Sequence, residues 1–439
     1  MRVVHSIQSH FQWGRSDHRM KICLATGLLL LTYLWYLSNR HQKIIVTDPS
    51  TIIPAECWDD GGKFSHKSAV SDLRKKDRDS GVRTCCPNRE PLAYSRWTAE
   101  RTEPTYGELF EKHADLCHGN WAPTSCVPSQ FVAVIVPFKD REHQLRFLLD
   151  RLHATLKHQR IAYGIYVIEQ VGNKPFNRGL LLNIGVREAL RQQPNTDCFI
   201  FHDVDLLPEN SANVYMCDQH LRQLSSGIDE FRFHPPFSNN AGGVSALSKD
   251  TLFKLNGFPN RYWGWGNEDD ELSARRLVHK LHLSRPPSHI GRYQAIRHIK
   301  SNRGKGHYAS FLQFRGFQND GLSSLNKSSY LVLSNISYQL PVSTLSQNKK
   351  IGIPTSWSIC AVRTFAENLG IPANSLQLEK TGSRLMFSHG YSDVFEQTAR
   401  SMLYKHILID PSPIYNVPVR PSQDTRESWF WFLHFYGWI

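Results

Sequence analysis

The chain has no glycine-rich phosphate loop: neither a P-loop nor a Gly-x-Gly-x-x-Gly turn occurs among its 27 glycines. That argues against the two commonest nucleotide-binding designs, but not against a diphosphate held through a metal ion. Cys-x-x-Cys and His-x-His zinc patterns, a His-rich two-metal cluster and internal repeats are also missing. Acids are scarce, with 39 Asp and Glu against 52 Lys and Arg, a formal charge of +13. Such a balance fits nucleic acid, an anionic membrane or an acidic small molecule. The charge is dispersed rather than striped, so no nucleic-acid partner is expected. Hydrophobic content of 40% and 439 residues allow one large or two moderate folded domains.

Only one long apolar run is present, Ile22 to Leu37, bounded by Arg19, Lys21 and Arg40. It is about the shortest stretch that spans a bilayer, with Tyr33, Trp35 and Tyr36 suited to an interface. No small-residue cleavage pattern follows it, so a signal-anchor is expected at 22–38. The basic residues before it place 1–21 in the cytosol and the rest in a lumen. Eight cysteines outside the span, and sequons at Asn326 and Asn335, agree with a disulfide-permissive compartment. Residues 39–84 carry scattered charge and little periodicity, as a stem holding the following domain off the membrane would.

From about residue 128 the pattern becomes strand, helix, strand, helix, strand. Strands are expected at Phe131–Val136, Tyr163–Glu169 and Cys198–Phe201, and helices over 141–156 and 178–191. This is an α/β domain with a mostly parallel sheet flanked by helices. Ligands sit beyond the carboxyl ends of such strands, where Pro137-Phe138-Lys139 and Asp203-Val204-Asp205 fall. Alternate residues of an extended segment face one way, so Asp203 and Asp205 are expected to point together and offer hard oxygen ligands to manganese or magnesium. An Asp-x-Asp can also merely cap a turn. Downstream, Trp263-Gly264-Trp265-Gly266 runs into Glu268-Asp269-Asp270-Glu271. Flat rings among glycines offer stacking faces for a sugar. The acids favour a helix N-terminus and supply a general base.

The ordered set Val136-Pro137-Phe138-Lys139-Asp140-Arg141, Phe176-Asn177-Arg178-Gly179, Phe201-His202-Asp203-Val204-Asp205, Gly242-Gly243-Val244-Ser245, Asn256-Gly257-Phe258-Pro259-Asn260 and Trp263-Gly264-Trp265-Gly266 resembles the β1,4-galactosyltransferase family. Arg297-His298 and Asp320-Gly321-Leu322 continue the match, over roughly residues 117 to 340. The resemblance implies a GT-A-like catalytic domain at 85–340 in a Golgi type II membrane protein. The implied reaction moves a sugar from a UDP donor to a GlcNAc-terminated glycan, inverting and metal-dependent. Donor binding would fall to Pro137, Phe138, Lys139, Arg141, Phe176, Arg178, Asp203, Val204 and Trp265. Asp269 would be the base, with Glu268 beside it; Asp270, Trp265 and Gly266 would face the acceptor. Asp205 and His298 would ligate manganese. Cys198 would pair with Cys217, and Cys126 with Cys85 or Cys86; Cys57, Cys117 and Cys360 lie outside the usual pattern.

Three departures bear on function. The family has Met three residues before the metal-binding His; here Ala295 stands there, which implies weaker manganese binding or an added water, and better tolerance of magnesium. Gln294 beside it is an oxygen donor one residue off. The position two before Gly242 is Asn240 instead of Tyr, which leaves room near the donor's C2 substituent and makes UDP-GalNAc an alternative to UDP-galactose. Lys139-Asp140 replaces Arg-Asn, keeping the charge and losing the planar fork. Ala295 also motivates a reading from another class, a catalytically weak UDP- and sugar-binding protein. Residues 341–439 have no recognised counterpart and end in an aromatic-rich stretch, Ser428 to Ile439.

Overall fold

The computed structural model describes residues 44–46, 86, 93–94, 101–299, 311, 314–325, 330–335 and 399–411. The expected membrane span and Asn326 lie outside them. Among the described residues no helix is long and apolar enough to cross a membrane.

Three strands run in parallel through the centre: β3 (Phe131–Phe138), β4 (Ala162–Gln170) and β5 (Cys198–His202). Their near-continuous burial matches their unbroken apolar runs, because helices cover both faces. Between them lie α2 (Glu142–His158) and α3 (Arg178–Gln192), each within two residues of the expected bounds. A short α1 (Tyr106–Lys112) precedes them, opened by a capping box of Thr105 and Glu108. The sheet continues from β5 through antiparallel β9 (Val244–Ser248) to β7 (Leu221–Gln223) and β10 (Leu283–Arg285), both aligned with the central strands. A second, three-stranded sheet joins β6 (Leu206–Pro208), β11 (Arg292–Ala295) and β8 (Gly227–Ile228).

The large sheet reaches beyond 85–340 in both directions. At one edge β1 (Ile44–Val46), in the expected stem, pairs parallel to β10. On the other side β13 (Lys405–Asp410), from the stretch with no counterpart, lies parallel against β4 and is capped by antiparallel β12 (Leu331–Asn335). Ile407 and Ile409 are fully buried, as are Ala399, Met402 and Leu403 just before them. A two-residue β2 (Asn120–Trp121) occupies the rest of the β4 edge. Asn335 is thus the last residue of a paired strand.

Two apolar layers sandwich the sheet. One gathers α1, α2 and the small sheet; the other gathers α3 with α4 (Lys249–Lys254) and α5 (Glu268–Val278). Cys198 is bonded to Cys217. Cys126 is bonded to Cys86, which settles the choice between adjacent cysteines. Cys117, outside the usual pattern, is disulfide-bonded as well.

Candidate active site

Three segments meet beyond the carboxyl ends of β3 and β5: the turn into α2, the Asp203–Asp205 turn and the start of α5. The hub is Arg178, the first residue of α3. Its Nε donates to Asp203 Oδ1 at 2.6 Å, NH1 to Glu268 Oε1 at 3.4 Å and NH2 to the Gly243 carbonyl at 3.2 Å. A guanidinium fits this task because its donors fan out in one plane. Burial works against its charge, but Asp203, Glu268 and Asp269 prevail and hold its pKa above the usual value.

Asp203 and Asp205, expected to point together, take different partners. Regular strand geometry ends at His202, so the alternation rule no longer applies: Asp203 turns to Arg178 and Asp205 to His298. The side chain of Val204 between them packs into the core, leaving only its backbone to the site. Burial pushes the Asp203 carboxyl up to about 6, with Asp205 adding to the rise against the pull of Arg178.

His298 Nε2 lies 2.9 Å from Asp205 Oδ2, and Nδ1 lies 2.8 Å from the Ile299 carbonyl. The bond to Asp205 raises the His298 pKa. Nε2 donates to the Asp205 carboxylate here; a cation between the two would replace that proton, with Nδ1–H left on the Ile299 carbonyl, the orientation a metal-ligating histidine needs. Arg141 reaches the same corner, donating from NH2 to Ile299 O at 3.3 Å. Ala295 adds no ligand; its amide donates to Asp229 Oδ1. Gln294, on the opposite face of β11, is buried. Among the described residues no group of three His, Cys, Asp or Glu side chains could hold a metal. Asp205 and His298 are the two side chains that face one another here and whose chemistry suits a divalent cation.

At the other wall, α5 starts at Glu268 after a left-handed Asn267. Gly264 and Gly266 also have positive φ, a backbone course that favours glycine. Trp265 between them is 56% exposed, while Trp263 packs on the core. Asp269 Oδ1 accepts the Asp270 amide, and Oδ2 projects over Gly242: a Cβ on Gly242 would lie 2.1 Å from it. Asp270 is buried and takes a bond from Asn267 Nδ2. Glu268 is pushed up to about 7, first by burial and then by Asp269.

Several residues shape the site through contacts that the sequence did not show. Glu271, fully buried, receives Arg275 and Arg261 and the Tyr262 hydroxyl; Arg261 also pairs with Asp320. This network fixes the root of α5 and accounts for Asp320-Gly321. Gln170 ties the Phe176 loop through the carbonyls of Lys174 and Pro175 and the amide of Asn177. Lys139, expected among the donor-binding residues, donates to the Gly172 and Lys174 carbonyls beneath that loop. Phe176 is bonded through its carbonyl to the Gly264 amide, so this loop is joined to the tryptophan loop. Pro137 and Phe138 end β3, with Phe138 buried. Asn240 holds Gln223 Nε2 on its side-chain oxygen and Arg285 on its carbonyl.

Residues 86–218 match the N-terminal region of glycosyl transferase group 7, and residues 222–299 the family model described as the N-terminal domain of galactosyltransferase. Beta-1,4-galactosyltransferase 4 of Rattus norvegicus is 43% identical over 329 residues, covering 72% of this chain and 92% of that protein. Beta-1,4-galactosyltransferase 2 of Cricetulus griseus is 41% identical over 281 residues, 62% of this chain and 74% of that one. Among solved structures, the catalytic domain of Drosophila beta1,4galactosyltransferase 7 in complex with xylobiose aligns at 28% identity and a TM-score of 0.40. The alignment covers 47% of this chain and 87% of that one.

Proposed function

The chain belongs to the glycosyl transferase group 7 family of β1,4-galactosyltransferases, and from that premise we propose that it transfers galactose from UDP-galactose to a terminal GlcNAc, β1,4-linked and with inversion. The observation that carries the reading is Arg178, which ties the Asp203 carboxylate on the metal side to Glu268 on the α5 side. A chain released from catalysis has no chemical need to hold two raised carboxyls and a catalytic-side acid around one buried cation.

In this reading Asp269 takes the proton from the acceptor hydroxyl as it attacks the anomeric carbon. Glu268 and Arg178 keep the base in place and limit the charge around it. Trp265 covers the donor and excludes the water that would hydrolyse it. Asp205 and His298 would hold manganese or magnesium, which when bound neutralises the departing diphosphate. Pro137, Phe138, Arg141 and Phe176 line the nucleotide side, and Asp270 and Gly266 the acceptor side. The setting is the Golgi membrane, with 22–38 as a type II anchor and the catalytic domain in the lumen.

A second donor, UDP-GalNAc, is favoured by Asn240, whose side chain is drawn toward Gln223. Transfer by the full chain from both donors to a GlcNAc acceptor, with manganese or magnesium, tests both readings. Asp269→Asn should lower turnover at least about a thousandfold, as loss of a general base does. Retained UDP binding without transfer from either donor would give the chain over to the binding-protein reading that Ala295 motivates.

A further inference from the structure

Asn240 stands at the end of a hydrogen-bond relay whose direction is set by its first donor. β7 and β10 run with the central strands, so their last residues, Gln223 and Arg285, lie at the carboxyl end of the sheet, on the side of the active site. Both are buried. Arg285 Nε donates to Gln223 Oε1 at 2.7 Å. A guanidinium has donors only, so the oxygen end of the Gln223 amide must face it. The nitrogen end then points the other way, donating to the Gly242 carbonyl at 3.1 Å and to Asn240 Oδ1 at 2.8 Å. That leaves the Asn240 amide one orientation, with Oδ1 toward Gln223 and Nδ2 away from it.

The backbone that carries Asn240 is clamped from β10 and from α5. Arg285 NH2 donates to the carbonyls of Ser238 and Asn240, at 3.0 and 2.7 Å. From α5, Ser273 Oγ donates to the Asn239 carbonyl at 2.7 Å, and Arg276 NH2 to Asn239 Oδ1 at 2.6 Å. Asn240 Nδ2, in contrast, has no hydrogen-bond partner among the described residues. It borders the gap over Gly242: a Cβ there would lie 3.7 Å from Asn240 Nδ2 and 2.1 Å from Asp269 Oδ2. Asn240 is half-buried. A donor held this firmly and left open beside Asp269 is placed to meet a ligand, because nothing in the fold uses it.

We propose that Arg285 and Gln223 are positioning residues for substrate choice: they turn the N–H end of the Asn240 amide toward the reacting sugar, where it selects a donor with a carbonyl oxygen beside the anomeric carbon, a 2-acetamido sugar. The step from amide to sugar rests on the reading of the chain as a UDP-sugar transferase with Asp269 at the attacking hydroxyl. That hydroxyl meets the anomeric carbon, and the ring substituent next to that carbon is the one on C2. A 2-acetamido group reaches out from the ring and ends in a carbonyl; a 2-hydroxyl is shorter and stays close to it. Space beside Asn240 admits the larger group, and the relay gives that space a polarity. A site that hydrogen-bonds its substrate discriminates more sharply than one that only leaves room.

The test is titration calorimetry of the full chain, with manganese, against UDP-GalNAc and UDP-2-deoxygalactose, beside transfer assays to a GlcNAc acceptor. Gln223→Met should weaken UDP-GalNAc about fivefold, as loss of one neutral hydrogen bond does, and leave UDP-2-deoxygalactose, which has no acceptor at C2, within about twofold. Equal weakening of both would reduce Gln223 to a structural role and overturn the proposal. Gln223→Glu keeps the shape and the bond from Arg285 but cannot donate, so Asn240 must turn its nitrogen to the new carboxylate. Its loss for UDP-GalNAc should be at least as large, and retained affinity would overturn the proposal. Asn240→Leu keeps similar room without the amide, and Gln223→Met added to it should change UDP-GalNAc affinity no further. An additive loss would mean that Gln223 acts on the fold and not through Asn240. The expected binding pattern without transfer would keep the relay and overturn the transferase reading. No binding of either nucleotide sugar would overturn both.

Discussion

Gly242→Ala separates stability from catalysis at one atom. The glycine is buried and its φ is not among the positive ones, so alanine can adopt its backbone. Its methyl would lie 2.1 Å from Asp269 Oδ2, where ordinary contact begins at 3.4 Å. The carboxylate must therefore retreat by the difference, about 1.3 Å; it can do so, because Asp269 is only partly buried. Stability should change by less than about 1 kcal/mol, since the reduced entropy of the unfolded chain offsets local strain. A base misplaced by about 1 Å costs on the order of a hundredfold in rate. Steady-state assays should show kcat lowered about a hundredfold, about 2.7 kcal/mol in the barrier, with the KM for UDP-galactose little changed. A folded variant with kcat within about threefold of wild type would refute the placement of Asp269 as base. A matching rise in donor KM alone would move Asp269 from chemistry to binding.

Replacing Arg178 by Met strands the Asp203 and Glu268 carboxyls in a buried site. Chemical denaturation should show a loss of about 3 kcal/mol near pH 7.5, shrinking near pH 5.5 as both groups, already raised to about 6 and about 7, take up protons. Ile409→Ala in β13 should cost about 2–4 kcal/mol, measured by the same method; a neutral result would mean that the C-terminal strand contributes little to the core. His153 is fully buried between the Tyr163 hydroxyl and the Leu403 carbonyl, and burial depresses its pKa well below the usual value. The unfolded chain then binds more protons below about pH 6.5, so stability is level above that pH and falls beneath it, by about 1.4 kcal/mol at pH 5.5 from this group. His153→Gln keeps a donor for Leu403 and should flatten that part of the slope.

Much was readable in one dimension because its signals are local. Unbroken β-branched runs mark β3, β4 and β5, since a strand covered on both faces needs apolar residues throughout. The ends of those strands locate the site before any coordinate does. The departures at Ala295 and Asn240 are single letters with single chemical consequences. What the chain could not declare depends on which distant segments meet. Asp203 and Asp205 take different partners, Arg178 and His298, which lie 25 residues before the one and 93 after the other. Lys139 was expected beside the donor, and two carbonyls of a neighbouring loop accept from its ammonium. Cys85 and Cys86 are equivalent in sequence, and geometry alone selects Cys86. The strands at 44–46 and 405–410 are short, and their parallel partners in the sheet lie more than two hundred residues away, so no local periodicity marks them. Composition and motif determine what chemistry this chain carries. Tertiary structure decides which groups are charged, which are turned aside, and how the ends of the chain close the sheet, because burial and long-range pairing exist only once the chain has folded.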